Sequence, residues 1–179
     1  MSAQQVALAL SALLLGAVPA FAQDHSMHEH AAHSVDSPAD GRVSVDFPGP
    51  MRNHFLGKMR NHLTAVSDAM GALAAGEYER AALIADEHLG MQSPGAQACT
   101  TNEQPARSSP ASMDMEQMMS QFMPPAMRTA GLAMHQAASQ FSSEARAAAQ
   151  SHDAGKAVAA LSKVTQQCVA CHASFRVQR

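Results

Sequence analysis

The sequence predicts an all-α protein, an antiparallel four-helix bundle, and three observations predict it. Aromatic residues make up 4% of the 179 residues, with no Trp and a single Tyr. Alanine and 13 methionines supply much of the apolar content, a balance that disfavours a β-sandwich and favours packed helices. Along four stretches the apolar residues recur in steps of three, four and seven, as one buried helix face requires, and no strand signal interrupts them.

The first helix is expected from about Met51 to Ala75, after Phe47-Pro-Gly-Pro50 breaks the chain. Its stripe is Met51, Phe55, Met59, Leu63, Val66, Met70 and Leu73, and Gly76 ends it. The second helix, about Glu77–Leu89, shows Tyr78, Ala81, Ala82, Ala85 and Leu89 on one face, with Gly90 as its cap. A one-residue break at Gly76 makes these two helices antiparallel neighbours.

Residues 91–125 read as a long Met-rich connection. Its first part, to Ser112, is rich in Ser, Pro, Gly and Gln and is expected to be a loop carrying a free thiol at Cys99. Met113, Met115, Met118, Met119, Met123 and Met127 follow closely. These are either adaptable apolar cover or soft thioether donors for Cu(I). Pro124-Pro125 starts the third helix, about Ala126–Gln150, with Met127, Ala130, Met134, Ala137, Phe141 and Ala145 on its stripe. Asp153 is the expected N-cap of the fourth, about Ala154–Phe175, whose stripe is Ala157, Leu161, Val164, Cys168 and Cys171/His172.

Ahead of the helical domain, residues 1–22 read as a secretion signal. Val6–Val18 is apolar but too short to span a bilayer, and Pro19-Ala20-Phe21-Ala22 supplies an A-x-A cleavage site. The opening MSAQQ lacks the Lys or Arg such signals carry. Export to the periplasm, with no membrane span after cleavage, is the expectation. Residues 23–46 are polar and His-rich and read as a flexible tail. Within it His25, His28, His30 and His33 are candidate ligands for Cu, Ni or Zn; cleavage after Ala22 would place His25 third from a free amine, an arrangement that holds Cu(II). The net charge of −3, without clustered Lys or Arg, excludes a nucleic-acid footprint.

Three cysteines are an odd number for an exported chain, so disulfides alone do not account for them. Cys168-Val169-Ala170-Cys171-His172 supplies the reason: C-x-x-C-H is the c-type haem attachment pattern. On a helix, positions i, i+3 and i+4 share a face. Two thiols can therefore reach two porphyrin vinyl groups while His172 meets the iron. A thioredoxin-like pair needs a βαβ context that is absent, and a zinc site needs two more ligands where only Cys99 remains. One covalent haem c is thus the expected cofactor.

The segment Cys168–Arg176 (CVACHASFR), ending a four-helix pattern, resembles the class II cytochrome c family, cytochrome c prime and its low-spin relatives. The resemblance covers about Met51–Arg179, leaving out the Met-rich connection. It implies haem on the fourth helix, His172 as proximal ligand, Arg176 near the propionates and a homodimer through the first two helices, though small-residue faces suit a monomer equally. Members of the family divide by the distal residue of the first helix. A Met there gives a six-coordinate electron carrier, and an apolar residue leaves the iron open to nitric oxide or carbon monoxide. Met59 falls closest to that position, counted back from Gly76; a slip of one turn substitutes Phe55. His54 and His62 flank the stripe as further donors or as plain exposed imidazoles.

Three functions follow. The first is an electron carrier with His172/Met59 ligation, exchanging electrons with redox partner proteins. The second is a five-coordinate gas-binding haem protein. The third is a metal-handling protein using the His and Met tracts. No nucleophile–base constellation points to an enzyme. His88, His135 and His152 show no partner in the sequence.

Overall fold

The computed structural model describes residues 40–100 and 114–178. The secretion signal, the tail histidines His25, His28, His30 and His33, and Met113 lie outside the described residues. Among the described residues the chain is all-α apart from one pair of short strands.

Helix α1 spans Gly49–Ala74, with Pro50 in its first turn, where a missing amide costs no hydrogen bond. It closes in a Schellman turn: Glu77 N–H donates to Ala72 O over 2.8 Å and Gly76 N–H to Leu73 O over 3.1 Å. Gly76 takes φ +75°, which a side chain would resist. Helix α2 spans Tyr78–His88, and its Ala81, Ala82 and Ala85 are fully buried, letting α1 and the later helices approach closely. Two further long helices, α5 (Pro125–Ser151) and α6 (Gly155–Ser174), match the expected third and fourth to within a residue or so. The α6 start lies one residue past expectation, but Asp153 Oδ1 still accepts the Gly155 amide at 2.9 Å.

The Met-rich connection is more structured than a loop. Helix α3 (Pro94–Thr100) and helix α4 (Met115–Phe122) occupy much of it, with Cys99 buried on α3. Pro94 stands first in its helix, a position proline favours, so the Ser/Pro/Gly content was a poor guide to loop. Asp114 caps α4 by accepting the Gln117 amide at 2.8 Å.

Two strands, β1 (Val43–Val45) and β2 (Phe175–Val177), pair in parallel, Val43 opposite Phe175 and Val45 opposite Val177. The expectation of a flexible tail to residue 46 and of no strand is corrected here. Val43 and Val45 flank a polar Ser44, but only Val45 is buried, and three residues are too brief a pattern to weigh against the surrounding polar run. Phe175 accordingly leaves the helix for the strand.

Contacts run chiefly from α1 to α2, α2 to α5 and α5 to α6, while α1 and α6 touch sparsely. Two apolar clusters result. One joins the C-terminal half of α1 to α2, α5 and α6 around Phe141 and Val164. The other gathers β1, the start of α1, α3, α4, the start of α5 and β2 around Phe55 and Phe175.

Candidate haem site

A cavity of about 620 Å³ opens where the two clusters meet, within the roughly 300–1,000 Å³ range of cofactor sites. Helices α1, α3, α4, α5 and α6 all line it, mostly with apolar side chains. Cys168, Cys171 and His172 line it from α6, and Phe55, Met59 and His62 from α1. The sequence motif and the expected distal stripe therefore face one space.

Cys168 packs against the first cluster and Cys171 against the second. Both are free, half-buried thiols. Burial pushes both above the ordinary thiol pKa, and for Cys171 the neighbouring Cys168 adds to it. His172 is exposed, its ring nitrogens engaged by no described group, and its carbonyl accepts Arg42 Nη1 at 3.3 Å. Met59 is half-buried against the second cluster. Phe55, one turn earlier, is buried and stacks on Phe47 with centroids 4.9 Å apart.

The donor set and the space fit a covalent haem. Two thiols and an imidazole at i, i+3 and i+4 stand on one wall, and a thioether stands on another. At the lining, Leu63 is 71% and Val169 69% exposed, apolar surface that a macrocycle would cover. No three His, Cys, Asp or Glu side chains among the described residues converge to hold an ion.

Other candidates are placed as follows. Arg176 sits on β2, its Nε 3.4 Å from Asp40 Oδ2, and is not among the cavity's lining residues. Exposed Arg60 does line the cavity and has no carboxylate partner among the described residues; it is the cation better placed for a propionate. His54 also lies off the lining. Its Nε2 is 3.0 Å from Glu116 Oε1, which accepts Lys58 Nζ at 2.8 Å as well, a charged clasp between α1 and α4. His62 meets His135 edge-on, ring centroids 5.6 Å apart. Burial first, then the His135 charge, holds the His62 pKa down at about 4. His135 is buried, its Nδ1 2.6 Å from Leu89 O, so that nitrogen donates.

Cys99 corrects an expectation most clearly. It is a free thiol, but buried on a helix and not in a loop; burial raises its pKa to about 11, and it lines the same cavity. Sequence reasoning missed the roles of Arg60, Glu116 and His135. For α4 a signal existed: Asp114 with Gln117 three residues on is a capping pattern ahead of an apolar run. Comparison with protein-family models, curated proteins and solved structures finds no match.

Proposed function

We propose that this chain is a single-haem c-type cytochrome of the class II kind, an electron carrier acting in the periplasm after export. The four long helices are read as an antiparallel four-helix bundle with the haem on α6. The observation that carries the reading is that Cys168, Cys171, His172 and Met59 line one cavity of about 620 Å³.

When bound, haem supplies a one-electron iron couple. The chain's part is to hold and tune it. Cys168 and Cys171 would hold the macrocycle by thioether bonds, and His172 would offer its imidazole from the same turn. Met59 offers a thioether, which favours ferrous iron and raises the potential. The apolar lining would limit water at a bound haem, which would raise the potential further, and Arg60 would be the cation to hold a propionate.

Phe55 supports a second reading. It is buried and lines the same cavity one turn from Met59. With Phe55 distal, the iron would stay five-coordinate and bind nitric oxide or carbon monoxide.

Haem staining after denaturing electrophoresis tests covalent attachment, since thioether bonds survive denaturation. Absence of stain sinks both readings. Optical spectra of the ferric and ferrous protein then separate them. Sharp ferrous bands indifferent to carbon monoxide support the carrier, and broad bands that shift with it support the gas-binding protein.

A further inference from the structure

The part of the cavity wall built by α3, α4 and α5 is rich in sulphur. Cys99 comes from α3, Met119 and Met123 from α4 and its C-cap, and Met127 from the first turn of α5. All four are buried, belong to one contact cluster and line the cavity. Apart from Ala98, every buried apolar side chain that these three elements give that cluster carries sulphur. Packing alone does not ask for this, because leucine fills such positions with similar volume.

The corner is also held together. Arg128 Nη1 donates to Met123 O at 2.8 Å and to Ser120 O at 3.1 Å, tying the end of α4 to α5. Gly131, one turn beyond Met127 on the same face of α5, leaves room for the thiol. A Cβ there would lie 2.5 Å from Cys99 Sγ. Thiolate and thioether are soft donors that select Cu(I) over hard or borderline ions, and no carboxylate belongs to this group.

We infer that Cys99, Met119, Met123 and Met127 form a Cu(I) site at the junction of α3, α4 and α5. Cys99 binds as thiolate, releasing its proton to solvent, and the methionines add neutral thioethers. The site uses none of Cys168, Cys171 or His172 as ligands, although all of them line the same cavity, so the Cys168/Cys171 variant below separates the two readings.

The test is an anaerobic titration of the full chain with Cu(I) against bicinchoninate, followed by copper K-edge X-ray absorption. Three variants are compared: Met119→Leu/Met123→Leu/Met127→Leu, Cys99→Ala, and Cys168→Ser/Cys171→Ser. The expected result is one bound Cu(I) with a sulphur-only shell in the parent chain and in the Cys168/Cys171 variant. Affinity falls at least about tenfold, or roughly 1.4 kcal/mol, in each of the other two. Leucine preserves volume, so the triple variant keeps its fold, and circular dichroism checks this. Unchanged affinity in both the triple leucine and Cys99→Ala variants overturns the inference. So does a nitrogen-only shell, or binding lost only with Cys168 and Cys171. A negative haem stain with copper binding intact would sink the cytochrome alone.

Discussion

Met59 on α1 and Cys171 on α6 pack against one apolar cluster and line one cavity, although their two helices touch sparsely. The start of α1 and the end of α6 are joined through their flanking strands, by the β1–β2 pairing and by Arg52 Nε donating to Gln178 O over 2.8 Å, and a group filling the cavity would add a further bridge between them. The other helix neighbours, by contrast, meet through small buried residues such as Ala81, Ala85 and Ala145.

On the haem reading, loss of its covalent attachment should loosen this end of the molecule and spare the other. In Cys168→Ser/Cys171→Ser, amides of residues 55–66 and 165–172 should exchange faster, while those around Phe141 stay protected. Hydrogen exchange by mass spectrometry reads this directly. Uniform loosening, or none, would mean that the cavity's contents do not hold α1 to α6.

The distal assignment is tested by a pair of truncations. Met59→Ala should convert indifferent ferrous bands into bands that shift with carbon monoxide, and should lower the midpoint potential. Phe55→Ala should leave ligation intact and cost about 3–5 kcal/mol of stability, because Phe55 is a buried ring stacked on Phe47. The opposite pattern moves the distal position back by one turn.

Helices α1, α5 and α6 were legible because each repeats its apolar stripe for five turns or more, and the shorter α2 because its buried alanines fall on one face between Gly76 and Gly90. That Cys168, Cys171 and His172 face one space was legible because positions i, i+3 and i+4 share a helix face. The connection was not. Helices as short as α3 and α4 carry too little periodicity, and tertiary contact decides them, α3 against α5 and α4 against α3. The parallel strand pair was equally hidden, since β1 and β2 lie at opposite ends of the described chain. His135 and Glu116 could not be assigned either. Their partners, Leu89 for one and Lys58 and His54 for the other, come from distant sequence.

Gly131 should prove sensitive for a reason visible only in three dimensions. Gly131→Ala places a Cβ 2.5 Å from Cys99 Sγ and should destabilise by about 1–3 kcal/mol despite alanine's better helix propensity. Adding Cys99→Ala removes the clashing sulphur and should recover most of the loss. Chemical denaturation of the single and double variants measures the coupling. Additive losses would show that the two side chains do not compete for the space.

Acid should weaken the fold through His62 before most carboxylates titrate. Burial and the nearby His135 hold the His62 pKa at about 4, against 6.5 for a free imidazole. Between those values the unfolded chain binds a proton at His62 that the folded chain refuses. Stability must then fall as pH drops from about 6.5 to about 4, by at most about 1.4 kcal/mol per pH unit for one proton. The buried His135, whose pKa burial also lowers, adds to the same slope. Replacing His62 by Gln keeps a polar side chain of similar reach and removes one of the two titrations. Urea denaturation midpoints across this window should therefore vary less with pH in His62→Gln than in the parent. An equal slope in both would assign the acid sensitivity to His135 or to the carboxylates and would leave His62 charged or solvated in the folded chain.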